Sequence, residues 1–302
     1  MEPVIEVKDL SYSYPDGSIA LDKVSLKIAA GEIVAILGPN GAGKSTLLLH
    51  LARILEGRGE IRIKGKDIKE KKRNELIKEI GIVFQNPDDQ LFMPTVFDDV
   101  AFGPLNLGWP EDVVLEKVTI ALQKVGLSGY EKRLCMNLSF GEKKRAALAT
   151  VLSMDPEIIV MDEPTANLDP RSRRALVNVM KQLKSEGKTL VLSTHDVSAV
   201  PEVADRIYVL NRTTVAEGTP RQIFSDAGLL KQMNLEVPPI SYLFEILNCF
   251  GYDCEDLPLS MDEAVEHLID RMDSGGGHIH LHLHKHTHED LKNVREKHEH
   301  HI

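Results

Sequence analysis

The stretch GPNGAGKST, residues 38–46, limits what this chain can be more than any other feature. It has the form G-x-x-x-x-G-K-[ST], follows the apolar run IVAIL and opens the helical pattern STLLLHLARIL. A glycine-rich turn between a buried strand and a helix lets backbone N–H groups converge on phosphate oxygens, and the helix N-terminus adds positive potential. The pattern assigns Gly38, Pro39, Asn40, Gly41, Ala42, Gly43, Lys44, Ser45 and Thr46 to a nucleotide-binding loop. Lys44 is expected to reach the β- and γ-phosphates, and the Ser45 hydroxyl to hold Mg²⁺.

Apolar, β-branched runs recur at VIEV, VSLKI, IVAIL, IRIK, IGIVF, IIVMD, TLVLS and RIYVL. Helical patterns lie between several of them; Val114, Leu115, Val118, Leu122 and Val125 share one helical face. Such alternation predicts an α/β fold with a mostly parallel sheet covered by helices. The closely spaced opening strands fit a separate antiparallel layer.

Two of these runs end in polar chemistry. IIVMDEP delivers Asp162 and Glu163 to the C-terminal end of a buried strand, where ligands of α/β folds bind. Asp162 is a candidate Mg²⁺ ligand, directly or through water, and Glu163 a candidate to orient and polarise an attacking water. TLVLSTHD ends near His195, well placed for a γ-phosphate. The formal net charge of −10 argues against a phosphate-backbone partner, so no nucleic acid is expected. Three cysteines, Cys135, Cys249 and Cys254, make no disulfide framework, which suits a reducing compartment. The opening MEPVIEVKDL lacks the apolar core of a signal peptide. No run approaches the roughly 18 apolar residues that a membrane span needs, so any span must come from another chain.

LSFGEKKR precedes IIVMDEP, ANLDP follows it, and Gln85 and His195 flank the set. In this order the motifs resemble the ATP-binding subunit of ABC transporters, over residues 1 to about 225. The resemblance implies a P-loop NTPase fold: a RecA-like mixed sheet with helices, an antiparallel β layer and a helical subdomain at about 88–140. It implies ATP hydrolysis with Mg²⁺. Lys44, Glu163 and His195 become the catalytic set, with Asp162, Ser45 and Gln85 on Mg²⁺. Tyr14 resembles the aromatic that stacks on adenine, with Tyr12 the alternative. Gln85 also resembles the glutamine that senses the membrane partner. Ser139, Gly141 and Glu142 fall in the signature motif, which contacts the ATP held by the other subunit of a head-to-tail dimer; Asp169 resembles the D-loop aspartate. The usual signature is LSGGQ; Phe140 and Glu142 are departures, and Phe140 puts a close backbone approach at that position in question.

QNPDDQLFMPTVFDDVAFGPLNLG, residues 85–108, resembles energy-coupling-factor importers, and within them the cobalt and nickel branch. Integral-membrane coupling and substrate-binding components are then the implied partners, and the cytoplasmic face of the membrane the implied location. A vitamin importer of the same class is the alternative cargo reading, and a P-loop ATPase switch without a transporter the alternative class. The chain is expected to pair with itself or with a paralogous ATPase.

Near residue 219 the texture changes. Thr219, Pro220 and Gln222 read as the N-cap, N1 and N3 of a helix. Two amphipathic helices follow, one with Ile240, Leu243, Phe244 and Leu247, the other starting at Ser260 with Glu263 completing a capping box and carrying Val265, Leu268, Ile269 and Met272. The expected divisions are an ATPase domain at 1–225, a small α-helical C-terminal extension at 226–273, and a flexible tail at 274–302. The extension resembles one that helps hold two ATPases together; a packing appendage is the alternative. The tail contains HIHLHLHKHTH, with His278, His280, His282, His284, His286 and His288 alternating with other residues. Neutral imidazoles at i and i+2 can converge on zinc, copper or nickel. Weak transition-metal binding is expected, with sensing or buffering of the cargo as the sharper reading.

Overall fold

The computed structural model describes residues 3–195, 197, 199–252, 254, 256–274 and 287–298. They divide into two compact units, residues 1–195 with 203–217, and residues 196–202 with 218–302.

The first unit holds ten strands: β1 (Ile5–Ser13), β2 (Ile19–Ile28), β3 (Ile33–Leu37), β4 (Arg58–Ile63), β5 (Lys66–Asp67), β6 (Ile80–Val83), β7 (Ile158–Asp162), β8 (Thr189–Ser193), β9 (Arg206–Asn211) and β10 (Thr213–Gly218, its last residue in the second unit). Its helices are α1 (Lys44–Leu51), α2 (Arg73–Glu79), α3 (Val96–Asn106), α4 (Glu111–Lys124), α5 (Phe140–Leu152) and α6 (Pro170–Ser185). The short α7 (Val200–Val203) spans the division between the units.

Six strands form the main sheet in the order β10-β9-β3-β8-β7-β6. The pairs β9–β3, β3–β8, β8–β7 and β7–β6 are parallel. Every residue of β3, β7 and β8 is buried, as continuous apolar runs in a sheet covered on both faces should be. The strand period of two divides these residues between two cores. Val34, Ile36, Val160 and Val191 face a core shared with α1 and the second sheet, whereas Ile33, Met161, Leu190 and Leu192 join one built from α3, α4, α5 and α6. The second sheet, β2-β1-β4-β5, is antiparallel throughout. Both layers agree with the sequence reading. On α4, Val114, Val118 and Leu122 are buried, while Leu115 lies on the exposed face.

The second unit contains α8 (Pro220–Ser225), α9 (Ala227–Gln232), α10 (Pro239–Cys249), α11 (Met261–Ser274) and α12 (Thr287–His298). Thr219 caps α8 in a full capping box with Gln222. The division between units falls at 217/218, ahead of the expected 225, because Thr219 turns the chain into α8 directly after β10. Ser260 Oγ accepts from Glu263 N, but the Glu263 carboxylate accepts from Leu259 N, one residue before the N-cap. Phe244, Tyr252, Cys254 and Ala264 form a small core with Ile240, Leu247 and Leu268 packed on it. Leu243, Val265 and Ile269, expected on apolar helix faces, are exposed. Cys135, Cys249 and Cys254 form no disulfide.

The tail expected to be flexible from 274 contains α12. Thr287 at its start is buried, and Lys297 near its end bonds Glu245 of α10 at 2.5 Å, which anchors a mostly polar helix to its own unit. His278, His280, His282, His284 and His286 lie outside the described residues, as does the side chain of His288.

Candidate active site

The loop of residues 38–46 takes its shape from two glycines. At Gly38 (φ +156°) a Cβ would stand 2.1 Å from the Leu210 carbonyl oxygen, and at Gly43 (φ +93°) 2.3 Å from that of Ala20. Gly43 is also the N-cap of α1, so no side chain caps that helix, in contrast to α5 and α8. The first-turn N–H groups of α1 are left for a ligand, with the helix dipole behind them.

Above the loop lies a cleft of about 560 Å³. Asn40, Gly41, Ala42, Gly43, Lys44, Ser45 and Thr46 line its floor; Tyr14, Gln85, Glu163 and His195 line its walls. Lys44 is buried, and its Nζ donates to the carbonyls of Gly38 (2.7 Å) and Pro39 (3.0 Å). Burial lowers its pKa, and Glu163 and Asp162 pull it back up. A buried ammonium thus keeps partners inside the loop and stands where phosphate charge would replace them. Tyr14 reaches over the floor to bond Thr46 Oγ1 at 2.9 Å. Tyr12 packs edge-on against Tyr14 and His50, outside the cleft lining.

Asp162 and Glu163 are buried at the end of β7. In register, Asp162 faces Ser193 of β8. The Ser193 hydroxyl donates to Asp162 Oδ1 and accepts from Glu163 N at 3.1 Å. Glu163 sits at φ +45°, a left-handed conformation that costs a non-glycine residue energy. Its carbonyl accepts from Lys144 Nζ at 2.7 Å, and its Oε1 stands 2.8 Å from His195 Nδ1. An ionised carboxylate only accepts, so Nδ1 carries the proton and Nε2 remains for a ligand. The donor set for Mg²⁺ fits its preference for hard oxygen: the Ser45 hydroxyl and Gln85 amide line the cleft, and the Asp162 carboxylate is buried at the end of β7 next to Glu163.

Ser139, Gly141, Glu142 and Asp169 are not among the residues lining this cleft. Ser139 caps α5 in a capping box: its Oγ accepts from Glu142 N, and Glu142 Oε2 accepts from Ser139 N at 2.8 Å. Tyr130 OH donates to the other carboxylate oxygen at 2.8 Å. Glu142, expected to contact nucleotide, therefore has both oxygens engaged in shaping the signature turn. Gly141 is tightly packed, since a Cβ there would meet Ser172 Oγ at 2.4 Å. Phe140 is exposed, and its ring centroid lies 5.8 Å from Lys144 Nζ. Asp169 caps α6, accepting from Arg171 N and Ser172 N. Ser193, Lys144 and Gln90 escaped the sequence reading. Gln90 accepts from Phe84 N and donates to Ala147 O and Thr150 Oγ1, tying the segment after β6 to α5.

A family model described as ABC transporter matches residues 21–166, and an AAA-domain model overlaps it at 134–200. The energy-coupling factor transporter ATP-binding protein EcfA of Methanothermobacter thermautotrophicus is 49% identical over 271 residues, covering 88% of this chain and 86% of that protein. The chain belongs to the energy-coupling-factor branch of ABC transporter ATP-binding subunits. The EcfA of Methanocaldococcus jannaschii is also 49% identical, over 81% of this chain and 89% of its own length. Among solved structures, cbiO1 from Clostridium perfringens, described as part of the ABC transporter complex cbiONQ, aligns with TM-score 0.70 and 37% identity, covering 81% of this chain and 100% of that one. A dimeric ATP-binding cassette in a post-hydrolysis state with ADP and Pi aligns with TM-score 0.65 and 28% identity, over 72% of this chain and 99% of that one. The chain is thus an ABC ATPase with the P-loop NTPase fold. As an energy-coupling-factor ATPase it works with membrane components, and among the described residues no helix is long and apolar enough to cross a membrane.

Proposed function

We propose that this energy-coupling-factor ATPase powers import of a transition-metal ion, cobalt or nickel, from the cytoplasmic face of the membrane. The observation that carries the catalytic part is Glu163, held by His195 at the wall of the cleft whose floor carries Lys44. Phosphoryl transfer to water needs positioning and charge stabilisation rather than covalent help. The loop N–H groups and Lys44 hold the phosphates. Glu163 orients the water and takes its proton, and His195 fixes that carboxylate and turns Nε2 toward the γ-phosphate. Ser45, Gln85 and Asp162 would hold Mg²⁺, which neutralises phosphate charge when bound. Tyr14 would move off Thr46 to stack on adenine. Glu163→Gln tests the assignment: ATP binding persists and turnover falls at least about 100-fold; turnover at the wild-type rate would sink it.

Ser139, Gly141 and Asp169, away from their own cleft, fit a head-to-tail dimer in which each chain completes the other's site; the likeness to a dimeric cassette supports this. A homodimer is the simpler arrangement, because one chain carries every motif. A second concavity of about 990 Å³, lined in part by Ile54, Phe84, Phe102 and Met154, fits a helix of a membrane component. The cobalt and nickel reading is supported by residues 85–108, by the alternating histidines of 278–288, and by the likeness to cbiO1. Purification with the membrane components and an uptake panel of metals and vitamins decides the cargo. Accumulation of a vitamin alone rejects the metal.

A further inference from the structure

Lys144 is the largest fully buried side chain of the first unit that none of the motif roles uses. It lies one turn into α5, the helix opened by Ser139, and points its ammonium across the interior to the loop after β7. There it meets a peptide of the site whose backbone is strained. Glu163 holds φ +45° with both ends of its main chain tied: the N–H to the Ser193 carbonyl and hydroxyl, each at 3.1 Å, and the carbonyl to Lys144 Nζ at 2.7 Å and, at a longer 3.3 Å, to Ala166 N. A left-handed non-glycine residue persists only where its surroundings over-determine it. The Ser193 bonds fix the start of the residue; without Lys144 the carbonyl would lose its short, charge-assisted partner and keep only the longer bond from Ala166 N, so the peptide could relax.

We infer that Lys144 is a positioning residue: its ammonium holds the Glu163 peptide in the conformation that aims the carboxylate at the attacking water, and ties the signature helix to the hydrolytic group of the same chain. This rests on Glu163 orienting that water. Burial brings the Lys144 pKa down to about 8 while Glu163 and Asp162 raise it, so the group is mostly charged at neutral pH and gives a strong bond. The position of α5 is itself fixed, since Gly141 allows close packing against Ser172 of α6. The buried Lys144 side chain thus bridges a firmly seated helix and the Glu163 peptide.

The test is steady-state ATP turnover and ATP affinity for the full-length chain as wild type, Lys144→Met, Lys144→Arg and Glu163→Gln. Lys144→Met keeps the volume and removes the donor. It lowers kcat at least tenfold with KM and ATP affinity within threefold, and Lys144→Arg, which restores a cation, recovers kcat to within threefold of wild type. A general packing role would shift binding and stability and would not be rescued by the larger arginine. If Lys144→Met is not recovered folded, Lys144→Gln, polar but too short to reach, is held to the same criteria. A kcat within twofold of wild type for the Met or Gln variant, or an Arg variant as impaired as Met, overturns the inference. Loss of turnover in Glu163→Gln alongside a fully active Met variant rejects Lys144 alone; an active Glu163→Gln rejects the reading of Glu163 beneath it.

Discussion

Ser193 carries more of the site than its place at the end of a β-strand suggests. One hydroxyl gives its proton to Asp162 and accepts the N–H of Glu163, so both acidic residues depend on it. Ser193→Ala removes a bond to a buried carboxylate, a class worth about 1.5–3 kcal/mol. The expected outcome is a loss of that order in denaturant-derived stability together with reduced ATP turnover; unchanged values for both would contradict the role. His50 supplies a pH prediction. It is buried on α1, its Nδ1 donates to Thr46 O at 2.7 Å, and its Nε2 has no partner. Protonation would bury a charged donor without an acceptor, and burial accordingly lowers its pKa below 6.5. With the folded value below the unfolded one, the contribution is present above pH 6.5 and is lost as pH falls below that value and through the folded pKa. Thermal melts of His50→Gln between pH 7 and pH 5 should show a shallower loss than wild type, about half the slope or less if this histidine dominates. Lys44, Asp162, Glu163 and His195 are legible in the sequence as candidates because each sits inside a motif. The sequence hides Ser193 and Lys144, whose roles arise from the register of β7 on β8 and from the reach of one buried side chain, neither of which leaves a local pattern.

Elements were legible where burial imposes a period. The runs of β3, β7 and β8 are continuous because both faces of the sheet are covered, and each was visible as a block. β10, TTVAEG, escaped because an edge strand half open to solvent shows only weak alternation. α12 escaped for a related reason: THEDLKNVREKH is mostly polar and is anchored by an ion pair and a buried threonine rather than by an apolar face. The helix caps separate structure from chemistry. Thr219 and Ser139 each close a capping box. Thr219→Ala should cost about 1 kcal/mol of stability and leave ATP turnover intact. Ser139→Ala should cost a similar amount and also reduce turnover, because α5 begins at the signature motif. Paired urea melts and ATPase assays check both, and loss of activity in Thr219→Ala would show that the cap serves more than the helix.

At the scale of the molecule, the proposed docking surface and the ATP cleft are lined by different residues. Phe92 and Phe102 meet edge to face at 4.8 Å and are both exposed, an arrangement suited to burial by a partner helix. Phe102→Asp should leave the basal ATP turnover of the separate chain within about twofold and weaken its co-purification with membrane components by tenfold or more. Truncation after Gly218, at the end of β10, tests whether the second unit holds the proposed dimer together without ATP; light scattering that shows the same dimer would assign the removed helices to packing alone. The family and fold could be read from ordered motifs, whereas the cargo could not, because an ATPase chain contacts nucleotide and partner rather than the transported substrate. The most direct test is uptake of labelled cobalt or nickel by proteoliposomes holding the full complex, with wild-type chain or Glu163→Gln. ATP-dependent accumulation is expected with the wild type and none with the variant, although the variant still binds ATP. Accumulation at equal rates in both, or uptake of a vitamin with no metal, would contradict the proposed function.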